Sequence, residues 1–314
     1  MSELRRFVFD GLPVRGVVVR LTDGWRELLL RREAVGPHPP AVGSLVGQMA
    51  AAGLLMQASI KFNGALVLQI FGDGPVRLAV AEVQPSLSFR ATATVVGEVA
   101  DDASLQALVN VHGHGRCAIT LDPKDRLPGQ QPYQGVVPLH DDRSEPLQQV
   151  SQVIEHYMRQ SEQLDTRLVL AADGEVAAGL MVQRLPVQGA DAARPDVAEP
   201  AEAFGRIALL ASTLTREELL ALEPERILRR LFWQETLRLF DAEHPRFACN
   251  CSRERVRGML RGLGREESDS LIAERGSVEV GCEFCGLRYR FDAVDVGEMF
   301  TPGRDQPPST QAVQ

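Results

Sequence analysis

The sequence predicts an α+β protein in three parts: a large N-terminal domain of antiparallel sheet with helices, a helical linker, and a small C-terminal module built on four cysteines. Three observations carry this. Strand-length apolar runs alternate with amphipathic segments from Leu4 to Pro186. The composition changes over 187–200 and then turns leucine-rich and helical. Four of the five cysteines crowd into the last third as two close pairs. The expected boundaries are 1–186 for the domain, 187–242 for the linker, 243–300 for the module and 301–314 for a disordered tail.

In the domain, valine-rich Arg15 to Leu21 reads as a strand, and Trp25 to Glu33 as a short helix capped by Thr22 or Asp23. The stretch from Ala34 to Ile60 contains no Asp, Glu, Lys or Arg and is long enough to span a bilayer. Gly43, Ser44, Gly47, Gln48, Gly53, Gln57 and Ser59 lie within it, however, together with Pro37, Pro39 and Pro40. It is read as a buried small-residue helix over Ser44–Ile60, starting near Val42 and suited to close packing. Ala65–Phe71, Val76–Glu82 and Leu87–Val96 then form an antiparallel meander, the first two joined by the turn Gly72-Asp73-Gly74-Pro75. Asp101–Val109 reads as helix, Cys117–Leu121 and Tyr133–Leu139 as strands, and Glu145–Gln163 as an amphipathic helix. Thr166–Ala171 and Val176–Leu185 form a hairpin across Asp173-Gly174, where positive φ is tolerated.

Small, polar and helix-breaking residues from Gly189 to Asp196 mark a linker or exposed loop. Beyond it, Glu202–Leu214 and Thr215–Phe240 read as helical. The second opens with a capping box of Thr215 and Glu218, and Pro224 is expected to split it.

The module holds Cys249 and Cys251 in a C-x-C and Cys282 and Cys285 in a C-x-x-C, with 30 residues between the pairs. Val278 and Val280 read as one strand and Leu287, Tyr289 and Phe291 as another, so Cys282-Glu283-Phe284-Cys285-Gly286 falls at a knuckle turn. There a positive φ at Gly286 lets backbone amides face the sulfurs. Between the pairs, Ser252 caps a helix carrying Val256, Met259, Leu260 and Leu263 that ends at Gly262 or Gly264, and a second short helix covers Glu266–Arg275. Soft thiolates in a closed tetrahedral shell suit zinc best. The alternatives are four unrelated buried thiols, or disulfides in a secreted protein. Only five cysteines, four of them clustered, and the lack of an apolar run before Asp10 argue for a reducing, cytoplasmic location.

A net charge of −8 speaks against broad nucleic-acid binding, and the module from Cys249 to Phe300 carries eight arginines against ten acidic residues. That weighs against the competing reading, a zinc-ribbon protein binding nucleic acid or the transcription or translation machinery. No dinucleotide, P-loop or serine-hydrolase motif occurs, so no catalytic residue is assigned and the protein is not read as an enzyme. A thiol-disulfide oxidoreductase would place its C-x-x-C at a helix N-terminus, not on a β-turn. His112, His114 and Cys117 hint at a metal but lack a fourth ligand, and Cys117 is most simply a buried thiol.

Taken together, Lys61-Phe62, Leu68-Gln69-Ile70 with Gly72-Asp73-Gly74-Pro75, Tyr133-Gln134-Gly135, Ser161-Glu162-Gln163 and Thr166-Arg167-Leu168 resemble the bacterial heat shock protein 33 family of redox-regulated holdase chaperones. The likeness continues in Arg238-Leu239-Phe240, Phe247 to Arg255, and Cys282-Glu283-Phe284-Cys285-Gly286 with Tyr289 and Phe291-Asp292. The resemblance implies one zinc per chain on Cys249, Cys251, Cys282 and Cys285 in the reduced, inactive state. It implies that oxidation forms the disulfides Cys249–Cys251 and Cys282–Cys285, releases the metal, and exposes a surface for unfolded client proteins. No nucleic-acid or membrane partner is expected; the reduced form is expected to be a monomer and the oxidised form a homodimer. Four thiolates on one zinc leave a formal charge of −2, which Arg253, Arg255, Arg288 or Arg290 is expected to offset in part. If the module docks on the helices of 202–240 and these cover apolar surface of the domain, its unfolding removes their support.

Overall fold

The computed structural model describes residues 1–33, 35–125, 129–186 and 200–301. The expected linker residues Gly189–Asp196 and the tail beyond Thr301 lie outside them. The chain forms two compact units, Met1–Ala248 and a second that begins at Cys249. The α+β class holds in both.

The first unit contains two sheets. One takes β1 (Glu3–Phe9), β2 (Val14–Leu21), β8 (Thr166–Ala172), β9 (Ala177–Arg184) and β10 (Leu237–Leu239) in the order β10-β1-β2-β9-β8, antiparallel throughout. The other takes β3 (Gly64–Phe71), β4 (Val76–Val83), β5 (Ser88–Val95), β6 (Arg116–Pro123), β7 (Tyr133–Pro138) and β11 (Arg246–Phe247) in the order β11-β5-β4-β3-β6-β7. Its meander is antiparallel, and β11 joins β5 in parallel.

Helix α2 (Pro40–Ser59) packs on β2, β8 and β9 of one sheet and on β3, β4 and β5 of the other. It is buried nearly all round, which is why an uncharged sequence of this length belongs to a core: 78% of its apolar window is covered by protein. Glycine is required at position 47, where a Cβ would fall 2.5 Å from Ala172 Cβ and 3.0 Å from the Trp25 ring. Helix α1 (Asp23–Glu33) supplies Trp25, whose indole N–H donates to Asp173 O at 2.8 Å. The other face of the five-stranded sheet is covered by α5 (Pro200–Ser212), α6 (Arg216–Ala221) and α7 (Pro224–Leu231), which bury Ile207, Leu219, Leu228 and Phe232 against Phe7, Phe9, Val18 and Leu180. Arg5 of β1 pairs with Glu225 of α7 at 2.9 Å at the edge of this layer.

Several expectations need correction. Thr215–Phe240 is not helical throughout: the capping box opens α6, Pro224 starts α7, but helix ends at Leu231 and Leu237–Leu239 pairs with β1 instead. The ladder offered by β1 wins over local helical periodicity there. Strand β1 itself goes unnoticed in the sequence, because Arg5 and Arg6 interrupt Leu4, Phe7 and Phe9, all buried. Helix α3 (Leu105–Val109) starts only after Ser104, whose hydroxyl accepts from Ala107 N, and α4 (Val150–Ser161) only after Gln149, since His140 and Pro146 form a β-bridge upstream. The β8–β9 turn needs no positive φ, because Asp173 Oδ1 accepts from the amides of Glu175 and Val176.

The second unit is small. Helices α8 (Arg253–Leu263) and α9 (Arg265–Arg275) lead into the hairpin β12 (Val278–Gly281) and β13 (Arg288–Phe291), followed by α10 (Ala293–Met299), a helix not anticipated from sequence. Ser252 caps α8 by accepting from Arg255 N, and Gly264 ends it at φ +94°. Its core is Leu260, Val278, Phe291, Val296 and Met299.

Candidate metal centre

Hairpin pairing of Val278 with Phe291 and Gly281 with Arg288 places Cys282 and Cys285 on the turn between β12 and β13. Cys282 N donates to Leu287 O at 2.9 Å and Gly286 N to Cys282 O at 2.8 Å, closing a knuckle that requires φ +69° at Gly286. That curl lets the Leu287 amide donate to the Cys285 sulfur, as the Cys251 amide does to Cys249. Cys249 and Cys251 sit immediately before the α8 cap at Ser252.

The four sulfurs converge. Cys249 Sγ lies 3.6 Å from Cys282 Sγ and Cys251 Sγ 3.4 Å from Cys285 Sγ, and all four lie within 4.8 Å of one another. A tetrahedron with metal–sulfur bonds of about 2.3 Å has edges of about 3.8 Å, so the residues fit a tetrahedral zinc. The separations far exceed a disulfide bond of about 2.05 Å, and all four are free thiols. Both of these contacts run across the two pairs, from the start of the unit to its hairpin.

The electrostatics are uneven. Burial pushes the Cys285 and Cys249 thiols up. Burial acts on Cys251 in the same sense, but the Tyr289 hydroxyl, donating to its sulfur at 3.2 Å, and the neighbouring thiols outweigh it and hold Cys251 below the ordinary thiol value. Tyr289 is pushed up to about 12 in return, chiefly by that hydrogen bond. Four sulfurs this close cannot all ionise without a cation among them, so the cluster is suited to hold one.

The arginines expected to offset the thiolate charge are mostly occupied elsewhere. Arg253 stacks 4.3 Å from the Phe291 ring centroid and reaches Arg290 O and Asp295, each at 2.8 Å. Arg288 pairs with Glu279 and Arg290 donates to Ser277 Oγ; Arg255 is exposed on α8. Sequence reasoning gave Tyr289 a place on its strand but no role; its alternation with Phe291 beside the knuckle was the available signal.

His112, His114 and Cys117 do not form a second centre. Asp73 Oδ2 accepts from the backbone amides of His112 and His114, at 3.1 and 2.8 Å, and so ties their loop to the β3–β4 turn. Cys117 is fully buried in β6, where burial pushes its thiol to about 12. Among the described residues, the four cysteines are the one group of three or more candidate ligands within mutual reach.

Residues 2–292 match the family model described as Hsp33 protein. The chain is 44% identical over 299 residues to a 33 kDa chaperonin of Chromobacterium violaceum, covering 95% of this chain and 94% of the relative. It is 41% identical over 310 residues to a 33 kDa chaperonin of Methylobacillus flagellatus, covering 97% and 98%. The fold is similar to the crystal structure of the 33 kDa chaperonin from Thermotoga maritima, with a TM-score of 0.73 over 95% of this chain and 97% of that one at 21% identity.

Proposed function

Because the chain belongs to the Hsp33 family of chaperones, we propose that it is a redox-regulated, ATP-independent holdase of the cytoplasm. In this reading it is inactive while Cys249, Cys251, Cys282 and Cys285 hold one zinc ion, and on oxidation it binds unfolding proteins and prevents their aggregation. The observation that supports it most directly is the convergence of four free sulfurs in a unit whose core, among the described residues, holds five buried apolar side chains.

A bound zinc would supply a closed cross-link between the two ends of the small unit, worth on the order of 10 kcal/mol of folding free energy. The residues do the rest. Metal-held thiolates are already in the form that peroxide attacks. One thiolate of each pair takes an oxygen from peroxide, becoming a sulfenic acid and releasing hydroxide. The partner thiolate then displaces a second hydroxide as the sulfur–sulfur bond forms. Two electrons leave each pair, and the disulfides Cys249–Cys251 and Cys282–Cys285 leave no ligand for the metal. The unit then loses its cross-link and unfolds.

The client surface in this reading is the apolar face between α5–α7 and the five-stranded sheet. The segment that carries Leu237–Leu239 and Arg246–Phe247 runs directly into Cys249, so disorder past that point weakens the cover from its C-terminal side. Exposed apolar surface also favours an oxidised homodimer over the reduced monomer. The functional parts proposed are the 1–186 core, the 187–242 linker and the 243–300 switch module.

The test is light scattering of a chemically unfolded client with zinc-loaded reduced protein and with peroxide-treated protein, while a chromogenic chelator reads released zinc. Suppression by the oxidised sample alone, tracking zinc release, is expected. Zinc release without suppression would make the module merely structural and bring forward a zinc-ribbon protein that binds nucleic acid or a macromolecular partner.

A further inference from the structure

The first unit carries an open groove of about 990 Å³ whose wall is the outer edge of β8. That strand is the last in its sheet, with β9 on one side only. Its hydrogen-bonding parity is fixed by the two bonds that flank the ladder, Arg184 N to Asp165 O at 3.0 Å and Asp173 N to Val176 O at 2.9 Å. In the register that pairs Arg167 with Val182 and Val169 with Leu180, odd-numbered residues of β8 therefore bond to β9. The N–H and C=O groups of Leu168, Leu170 and Ala172 point the other way, into the groove.

The ends of this edge are closed by side chains. Glu155 Oε1 accepts from Leu168 N at 2.7 Å, and Ala172 O accepts from Ser44 Oγ at 3.2 Å and from the Arg216 guanidinium at 2.9 Å. Between them, Leu168 C=O and Leu170 N–H and C=O have no partner among the described residues, while Ala172, 0% exposed, is closed off. The open part of the edge, centred on Leu170, is enough to pair about three residues of an extended chain. Ala41 and Leu45 of α2 flank the groove on one side of the sheet and Leu214 on the other, beside the polar Gln48 and Ser212, so alternate side chains of an added strand would meet a mixed apolar and polar surface.

We propose that this groove binds a short extended stretch of an unfolded polypeptide, of mixed apolar and polar side chains, by adding it as a strand to β8. The proposal rests on the holdase reading for its class of partner, and it places that partner at a second site, away from the surface beneath α5–α7. A second copy of the chain is the less suitable occupant. Leu168 and Ala172 are 3% and 0% exposed, so the edge lies recessed between helical layers, and two recessed edges cannot meet. Capping at both ends restricts the site to a short segment and keeps the edge from templating longer sheets. The groove is open irrespective of the cysteines, so binding here is expected in both redox states and is too short to hold a client alone.

The test uses a fluorescein-labelled octapeptide of alternating valine and threonine flanked by lysines, with fluorescence anisotropy on the full chain. The same peptide N-methylated at every valine and threonine keeps its side chains and loses its donors. Leu170→Pro removes an outward N–H without breaking the β9 ladder. At least tenfold weaker binding is expected for the methylated peptide and for Leu170→Pro, with equal affinity in the reduced and peroxide-treated wild type. The Leu170 amide of the wild type should exchange with solvent at least tenfold more slowly when peptide is bound, which decides the matter if the proline variant fails to fold. Equal binding of the methylated peptide, or unchanged Leu170 exchange, overturns strand addition whatever the redox-gated aggregation assay gives. A reduced dimer that Leu170→Pro converts to monomer overturns it too, by assigning the edge to a second copy. Peptide binding without redox-gated suppression of aggregation would instead sink the holdase reading and leave the strand site standing.

Discussion

The first unit buries Trp25, Tyr157, Phe7, Phe89 and Phe232 below 2% exposure around a 20-residue helix held between two sheets. The second buries Leu260, Val278, Phe291, Val296 and Met299, with Val256, Leu271, Ile272 and Tyr289 half-covered beside them. The first has ample apolar area to offset its chain entropy; the second, at about 50 residues, does not. In the proposed reading one unit is stable by packing and the other by ligation, so the two are expected to fail under different insults. The proposed redox signal would dismantle the second and leave the first standing.

Metal removal is the largest expected effect. Chelation of zinc under reducing conditions, or Cys282→Ser, should abolish hydrogen-exchange protection across 249–301, consistent with a loss on the order of 10 kcal/mol. Protection in β3–β6 and α2 should stay as it was. If 249–301 keeps its protection without metal, the contrast between the units is wrong and the small core suffices. After peroxide treatment, protection over 202–240 should fall as well; unchanged protection there would break the proposed link between the cysteines and the helical cover.

Truncations sharpen the same contrast. Leu54→Ala in α2 removes a fully buried side chain from a unit that cannot collapse around the gap, costing ~3–4 kcal/mol and lowering the melting temperature by roughly 6–12 °C. Leu260→Ala removes a side chain just as buried, 1% exposed, from the ligated unit. Its effect is expected as faster zinc loss to a chelator, with the main melting transition within about 2 °C of wild type. A large fall in that transition would show that the small core contributes to the stability of the whole.

The same division explains what the sequence made legible. The cysteine module is local: the C-x-C and C-x-x-C spacing, the Gly286 knuckle, the Ser252 cap and a helix stop at Gly262 or Gly264 are all written within a few residues of where they act. The meander β3–β5, the β8–β9 hairpin and helix α2 were likewise visible as alternation, turn residues and absence of charge. What was missed depends on distant partners. Strand β1 has its pattern broken by Arg5 and Arg6 and exists because β2 and β10 flank it. Strand β10 follows helical periodicity yet extends because β1 offers a ladder. The Tyr289–Cys251 contact joins residues 38 apart in sequence, and no local signal gives its length.

A smaller effect is expected at that contact. In metal-free reduced protein, Tyr289→Phe removes the hydroxyl that favours the Cys251 thiolate, so the thiol titrates higher and less thiolate is present at pH 7. Alkylation of Cys251 by iodoacetamide, followed by peptide mass analysis, should slow about threefold. An unchanged rate would assign the low Cys251 value to the neighbouring sulfurs instead.

The smallest effect concerns acid and the first unit. Burial and the nearby Arg32 charge hold His38 near 4, below its ordinary 6.5, and its Nε2 is buried without a partner among the described residues. The folded state therefore favours the neutral ring. Stability from this source is fully present above pH 6.5, where folded and unfolded chains both carry neutral histidine. It is lost as pH falls from 6.5 toward 4, because the unfolded chain takes up a proton that the folded chain refuses. The ring is partly exposed, so solvent screening reduces the loss at pH 5 to ~1 kcal/mol, or roughly 2–4 °C of melting temperature. Between pH 7 and pH 5 the near-ultraviolet transition of the first unit should fall by that much more in the wild type than in His38→Gln. Acid also protonates the cysteine thiolates, but that loss belongs to the ligated unit and is common to both proteins. Equal falls in the two would mean that the imidazole is solvated and takes up its proton in the folded state, and the packed unit would then owe none of its acid sensitivity to His38.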